Sequence, residues 1–226
     1  MANIPICHRL EINEFNSIVS FEQSLFISVK DIQIGNAEKL FLTNSLVIIS
    51  KNRNLLTEFI PKIYKCNVRF LKICLQNLSI KDFDFLVENV EKFVSFDSTI
   101  RRKNEILSIT EIIDRMPKLS HMTFTSNGRV KLFNAAKTVK QMNKEKEAKL
   151  DYLYIRTVPA VADPLQICSF IWKNAASNSR FYFELKAPRE YVENLDDLIK
   201  MEFKKWVPEN EKPCVIITKE IILGRI

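Results

Sequence analysis

Glycine is scarce in this chain: only Gly35, Gly128 and Gly224 occur among 226 residues. That excludes the glycine-rich strand-to-helix loops that carry backbone N–H groups up to a phosphate or a dinucleotide. Histidine is scarcer still, with His8 and His121 alone. Neither an H-E-x-x-H helix nor a G-x-S-x-G elbow can be written onto the sequence. The five cysteines, Cys7, Cys66, Cys74, Cys168 and Cys214, are odd in number and form no C-x-x-C pair. They read as reduced, packed thiols rather than a disulfide framework or a metal site. Cys74 falls mid-strand and has no neighbouring histidine to activate it. No apolar run reaches the roughly 18 residues of a membrane span. The opening MANIPICHRLEINEF carries charges where a signal peptide needs an apolar stretch. The expectation is a cytoplasmic or nuclear protein, not an enzyme, with no cofactor and no metal.

What the chain does have is apolar mass. A 46 % hydrophobic and 10 % aromatic content is too high for a disordered polymer. The formal net charge of +7 would favour an acidic partner. It is spread thinly, over Arg101-Arg102-Lys103, Lys204-Lys205, and a run from Lys140 to Lys149 that Glu145 and Glu147 interrupt. A solvated surface is the first reading of it, and a nucleic-acid patch the alternative.

The most informative stretch is VRFLKICLQNLSIKDFDFLVENV, Val68 to Val90. Val68, Leu71, Ile73, Leu75 and Leu78 form a strand-like apolar ladder. The period then changes. Ser79 with Asp82 three residues on is a helix start, and Ile80, Phe83, Leu86, Val87 and Val90 follow at helical spacing. This strand–helix unit recurs along the chain. Strands are expected near residues 40, 71, 93, 122, 153, 183 and 216. Leu55 to Tyr64 reads as a helix that Pro61 kinks or ends, and the Leu46–Ser50 segment fits strand or helix. Ser108 and Glu111 form a capping box, Asp163 caps a helix that Pro164 opens, and a further helix follows Pro188. A helix over Leu132, Ala135, Ala136, Val139 and Met142 is expected after the Asn127-Gly128 turn. The chain closes on the strand PCVIIT with almost no tail, which suggests an array sealed by its last element.

Aligned strand starts give L-x-x-L-x-I: Val68, Leu71, Ile73; Leu119, Met122, Phe124; Leu150, Leu153, Ile155. A period of about 22 to 33 residues with this core lies close to leucine-rich repeats. The fold class expected is α/β, a leucine-rich-repeat-like solenoid over residues 36–226 with a short helical segment over 1–35. Phe15, Ile18, Val19, Phe21, Leu25, Phe26 and Val29 supply that segment's apolar face. An ordinary α/β domain of alternating strands and helices fits as well.

The runs LSIKDFDFLVENVEKFVSFDSTI, IIDRMPKLSHMTF and KLDYLYIRTVP resemble the leucine-rich-like region of the F-box-associated protein family of Caenorhabditis nematodes. The resemblance spans roughly residues 65–218. It implies a substrate receptor of a Skp1-based ubiquitin ligase, or an antidote-like relative that recognises a toxin or another specific protein. It also implies an N-terminal F-box, a helical module that docks the Skp1 adaptor. Pro5, Phe21, Leu25 and Phe26 are the residues that would serve this; the family's leucine-proline opening is missing. Without an F-box, residues 1–35 would cap the first repeat.

In a parallel array, residues alternating with the inward Leu71 and Ile73 and their equivalents line one exposed sheet face. Lys72, Gln76, Lys92, Thr123, Thr125, Tyr152, Tyr154, Arg156, Tyr182 and Glu184 fall there. Lys72, Tyr152, Tyr154, Arg156 and Tyr182 are the candidate partner-binding residues, because tyrosine and arginine are enriched in interface hot spots. Tyrosines there can also simply stiffen a sheet by cross-strand contact. His121 is expected to be solvated, Asp82 and Asp84 to serve a helix start, and Asp196-Asp197 to face water.

Overall fold

The computed structural model describes residues 6–13, 24–26, 39–126, 128–133, 148–159 and 163–219. The chain divides into two compact units: residues 1–107 with 115–118, and residues 108–114 with 119–226. The fold is α/β, with parallel strands and few helices.

Unit 1 contains β1 (Ile6–Asn13), β2 (Ser24–Phe26), β3 (Leu40–Ile49), β4 (Ile63–Cys66), β5 (Phe70–Cys74), β6 (Asn77–Ser79), β7 (Lys92–Phe96), β8 (Thr99–Arg102) and β9 (Glu105–Ile106). Its helices are α1 (Leu55–Phe59) and α2 (Ile80–Val87). The sheet runs β2-β1-β3-β5-β7, all parallel, and β4 adds a second pairing to β3. Parallel neighbours need a crossover between them. Here α2 provides one, packing Phe83 edge-on to Phe93 of β7 with ring centroids 5.8 Å apart. Ser79 caps α2 by accepting the Asp82 N–H at 3.1 Å. A small second sheet, β6-β8-β9, edges the strand ends.

Unit 2 contains α3 (Ile109–Ile113), β10 (His121–Thr125), β11 (Leu150–Pro159), α4 (Pro164–Asn174), β12 (Ala175–Lys186), α5 (Arg189–Phe203) and β13 (Cys214–Lys219). Its strands lie in chain order, β10-β11-β12-β13, all parallel. The Ser108–Glu111 capping box is formed in both directions. Asp163 caps α4 through the Leu165 N–H at 2.9 Å, with Pro164 as the first helical residue. Trp172 of α4 stacks on Trp206 at 4.2 Å, and Phe203 of α5 meets Trp172 edge-on, so this helix pair is joined through indoles.

All nine residues of the three L-x-x-L-x-I starts are completely buried. The expected strands near 40, 71, 93, 122, 153, 183 and 216 are all present. Pro61 ends α1 through a short 3-10 turn.

Three expectations are corrected, one open reading is resolved, and one further expectation lies largely outside the described residues. Residues 1–35 were expected to be helical, yet Ile6–Asn13 and Ser24–Phe26 are strands. Leu10 and Ile12 are two residues apart and both fully buried, while Arg9 is exposed, so this stretch has the period of a strand, and β3 supplies its ladder. Pro5 and Phe21 lie outside the described residues, whereas Leu25 and Phe26 lie on β2 opposite Leu10 and Glu11. Ile63 and Tyr64 belong to β4 rather than to the preceding helix, because Pro61 has already broken the i→i−4 ladder. Leu46 to Ile49 continues β3 as strand. Leu75 is half-buried and Gln76 is fully buried, the reverse of simple alternation. The helix expected over Leu132 to Met142 falls largely outside the described residues, and Leu132 and Phe133 are buried without being helical. No helix among the described residues is long and apolar enough to cross a membrane.

Candidate protein-binding face

Strand alternation sorts the side chains of unit 2. Met122 and Phe124 of β10, Leu153 and Ile155 of β11, and Phe181 and Phe183 of β12 point into the core and are buried. The intervening residues form cross-strand rows on the opposite face. Register pairs His121 with Tyr152 and Tyr152 with Arg180; Thr123 with Tyr154, Tyr154 with Tyr182 and Tyr182 with Ile216; Thr125 with Arg156 and Arg156 with Glu184.

The tyrosines touch. Tyr182 lies 5.8 Å from Tyr152 and 6.3 Å from Tyr154, ring centroid to centroid, in tilted contacts. His121 stacks against the far side of the cluster, 6.3 Å from Tyr152 with ring planes 22° apart. Its Nδ1 also lies 2.9 Å from Ser120 Oγ and 4.0 Å from a carboxylate oxygen of Asp151. His121 was expected to be solvated and to point away from the core; it lies on this outer face with 42 % of its side chain exposed, and it also stacks on Tyr152. Partial burial, with the neighbouring phenols second, pushes the Tyr152 hydroxyl above its ordinary value. The three tyrosines are half-buried, so a good part of each ring still faces outward.

Arg156 is anchored rather than loose. Its Nε lies 3.2 Å and 3.1 Å from the two carboxylate oxygens of Glu184, and the Tyr154 hydroxyl donates to Glu184 at 3.4 Å. Glu184 retains 18 % of its side-chain exposure against 50 % for Arg156, so the carboxylate is the sheltered partner. An exposed pair of this kind contributes little to stability, about 0–1 kcal/mol. Its effect is to fix where the guanidinium sits. Glu184 had been placed on this face by alternation, but its clamp role was not; the signal was available in the chain, since parallel register opposes Arg156 and Glu184.

Lys72 does not join this group. It lies on β5 in unit 1, between Val47 of β3 and Val94 of β7. Gln76 leaves the face altogether. Its amide donates to the carbonyls of Ser50, Asn52 and Cys74, and its Oε1 accepts the Leu56 N–H at 3.0 Å. Cys74 sits half-buried beside Lys72 rather than in the core, and burial raises its thiol above the ordinary value. Asp84 bonds Arg115 at 2.5 Å, and Asp196 and Asp197 both pair with Lys200. The Lys140–Lys149 run lies outside the described residues up to Glu147. Among the described residues no group of three or more His, Cys, Asp or Glu side chains is placed to hold a metal ion.

No family model, curated protein or solved structure matches the chain. The unit 2 face offers aromatic surface, phenolic hydroxyls and one anchored guanidinium, the groups that carry protein–protein hot spots.

Proposed function

We propose that this protein is a non-enzymatic protein-recognition module whose β10–β13 strand face grips a partner protein. One observation carries the reading: Tyr152, Tyr154 and Tyr182 form a contiguous, half-exposed cluster bordered by an arginine that Glu184 holds in place. Rigid aromatic side chains give large contact area at small entropic cost, and a pre-positioned arginine adds directional hydrogen bonds.

The architecture that suits this task is a leucine-rich-repeat-like solenoid of strand–helix turns. It is supported by the parallel strands β3, β5 and β7 of unit 1 and β10 to β13 of unit 2, which follow one another in chain order, and by backbone features that recur from one turn to the next; β2, which lies outside β1, departs from that order. The motif resemblance to the Caenorhabditis F-box-associated family makes the partner a ubiquitin-ligase substrate, or a specific protein recognised in an antidote-like role, with a Skp1 adaptor docking near Pro5, Phe21, Leu25 and Phe26. Five cysteines without a disulfide among those described suit a cytoplasmic or nuclear setting.

The test is co-purification of the full-length chain with recombinant Skp1. Deleting residues 1–35 would remove β1, which buries Leu10 and Ile12 beside β3, so loss of binding would be ambiguous. Point substitutions, Pro5→Ala and Phe21→Ala, avoid this. Absence of Skp1 from the wild-type complex removes the ligase role and leaves the recognition module standing. Salt-sensitive binding to single-stranded RNA through the same tyrosines would instead favour the nucleic-acid reading.

A further inference from the structure

The strand face of unit 1 has a different chemistry from that of unit 2. Lys72 lies at its centre. Val47 and Val94 flank it across the neighbouring strands, and Phe70 and Cys74 flank it along β5. On the diagonals of β7, Phe96 is 40 % exposed and Lys92 is exposed. Lys72 is itself half-buried, and among the described residues its ammonium has neither a hydrogen-bond nor an ion-pair partner. The acid in its row is Glu11 of β1, two strands away beyond Val47, and Glu11 is engaged by Arg9 at 3.1 Å.

A lysine stem on an apolar sheet is ordinary, because the stem covers carbon and the ammonium reaches water. This one is ringed by apolar groups on all four near sides. Whatever covers the ring desolvates the ammonium, and a covering surface without an anion would leave a buried, unpaired charge. A carboxylate brought by the partner removes that penalty and fixes the register. A phosphate backbone could pair with Lys72 and Lys92 but would leave the carbon around Lys72 without an apolar cover, a poorer match.

We propose that the β3–β5–β7 face of unit 1 is a second docking surface, for a protein segment that carries one Asp or Glu between apolar side chains, with Lys72 pairing that carboxylate. This goes beyond the tyrosine-face proposal and stands on unit 1 alone.

The test is selection of a random peptide display library on the full-length chain, with depletion on Lys72→Glu. Recovered peptides are expected to share an acidic residue flanked by apolar ones. They should bind Lys72→Glu and Lys72→Met roughly tenfold more weakly or worse, bind Phe96→Ala more weakly, and bind a Tyr152→Ala/Tyr182→Ala chain unchanged. Lys72→Met keeps the apolar stem, so a loss there is a loss of charge rather than of fold. The proposal is overturned if no peptide is enriched over the depletion step, if recovered peptides lack the acid, or if they bind Lys72→Glu equally. It is also overturned if sedimentation shows a dimer that Lys72→Glu dissociates, since a second copy would then own the face. Loss of binding in the tyrosine variant alone would move the site to unit 2 and leave the first proposal intact.

Discussion

Leu75 and Asp97 end β5 and β7 in the same left-handed backbone conformation, with φ of 60° and 50°. The Leu75 N–H donates to the Phe96 carbonyl at 2.8 Å, tying the two turns together. The residues that follow repeat as well. Gln76 and Ser98 are both buried, the Gln76 N–H donates to Ser98 Oγ at 3.0 Å, and the Thr99 N–H donates to the Gln76 carbonyl at 2.8 Å. Before the strands, the Arg69 carbonyl accepts the N–H groups of Glu91 and Lys92, as the Ser120 carbonyl accepts those of Asp151 and Tyr152. One local solution is used repeatedly.

A left-handed residue without glycine is strained by roughly 1–2 kcal/mol, least for Asp and Asn. Asp97→Val should therefore lower the unfolding free energy by about that amount, and Asp97→Gly should leave it equal or higher. Urea midpoints of the two variants measure this.

Gln76 accepts one N–H and shares its two amide hydrogens among three carbonyls in a site closed to water. Gln76→Leu fills similar volume but strands the Leu56 N–H among apolar neighbours. A buried unsatisfied group costs about 1–3 kcal/mol, so a loss of at least about 2 kcal/mol is expected in denaturant unfolding. Ser98→Ala should couple to it in a double-mutant cycle, because Ser98 Oγ receives the Gln76 N–H.

These same residues show how far the sequence could be read. Leu71 and Ile73 were legible because alternation governs a strand interior, whereas Val68, three residues before Leu71, precedes β5. Alternation failed at Leu75, since one positive φ turns the next side chain inward, and Leu75 is not a residue that announces it. The caps at Ser79, Ser108 and Asp163 were legible because the side chain that makes the bond is also the signal. β1 was missed because its buried pair, Leu10 and Ile12, is short and laced with charge. On the candidate face, alternation placed Tyr152, Tyr154, Arg156 and Tyr182 correctly on one side. It could not tell that Lys72 belongs to a different compact unit, which depends on packing far along the chain.

Burial pushes the Cys66 and Cys168 thiols up to about 11. An unfolded thiol titrates near 8.5. Between those values the unfolded chain gives up protons that the folded chain keeps, so stability is complete below about pH 8.5 and falls as pH rises toward 11. Tyr152, also raised, adds to the decline at the upper end. The unfolding free energy of Cys66→Ala/Cys168→Ala should depend less steeply on pH across this window. In the native wild-type chain the exposed Cys214 should react with a thiol reagent well before the buried Cys66 and Cys168.

Tyr152→Ala with Tyr182→Ala removes two of the three rings of the tyrosine cluster while leaving Phe181, Phe183, Leu153 and Ile155 in the core. Cross-strand pairs contribute only about 0.2–1 kcal/mol each, whereas a hot-spot residue contributes about 2 kcal/mol or more to binding. The most direct measurement is therefore quantitative affinity purification of the wild-type and doubly substituted chains from their native cells, with both shown to be folded and matched in abundance. The expected result is a small set of proteins held by the wild type and lost from the double variant. Identical sets from the two chains would contradict a partner-gripping role for the tyrosine face.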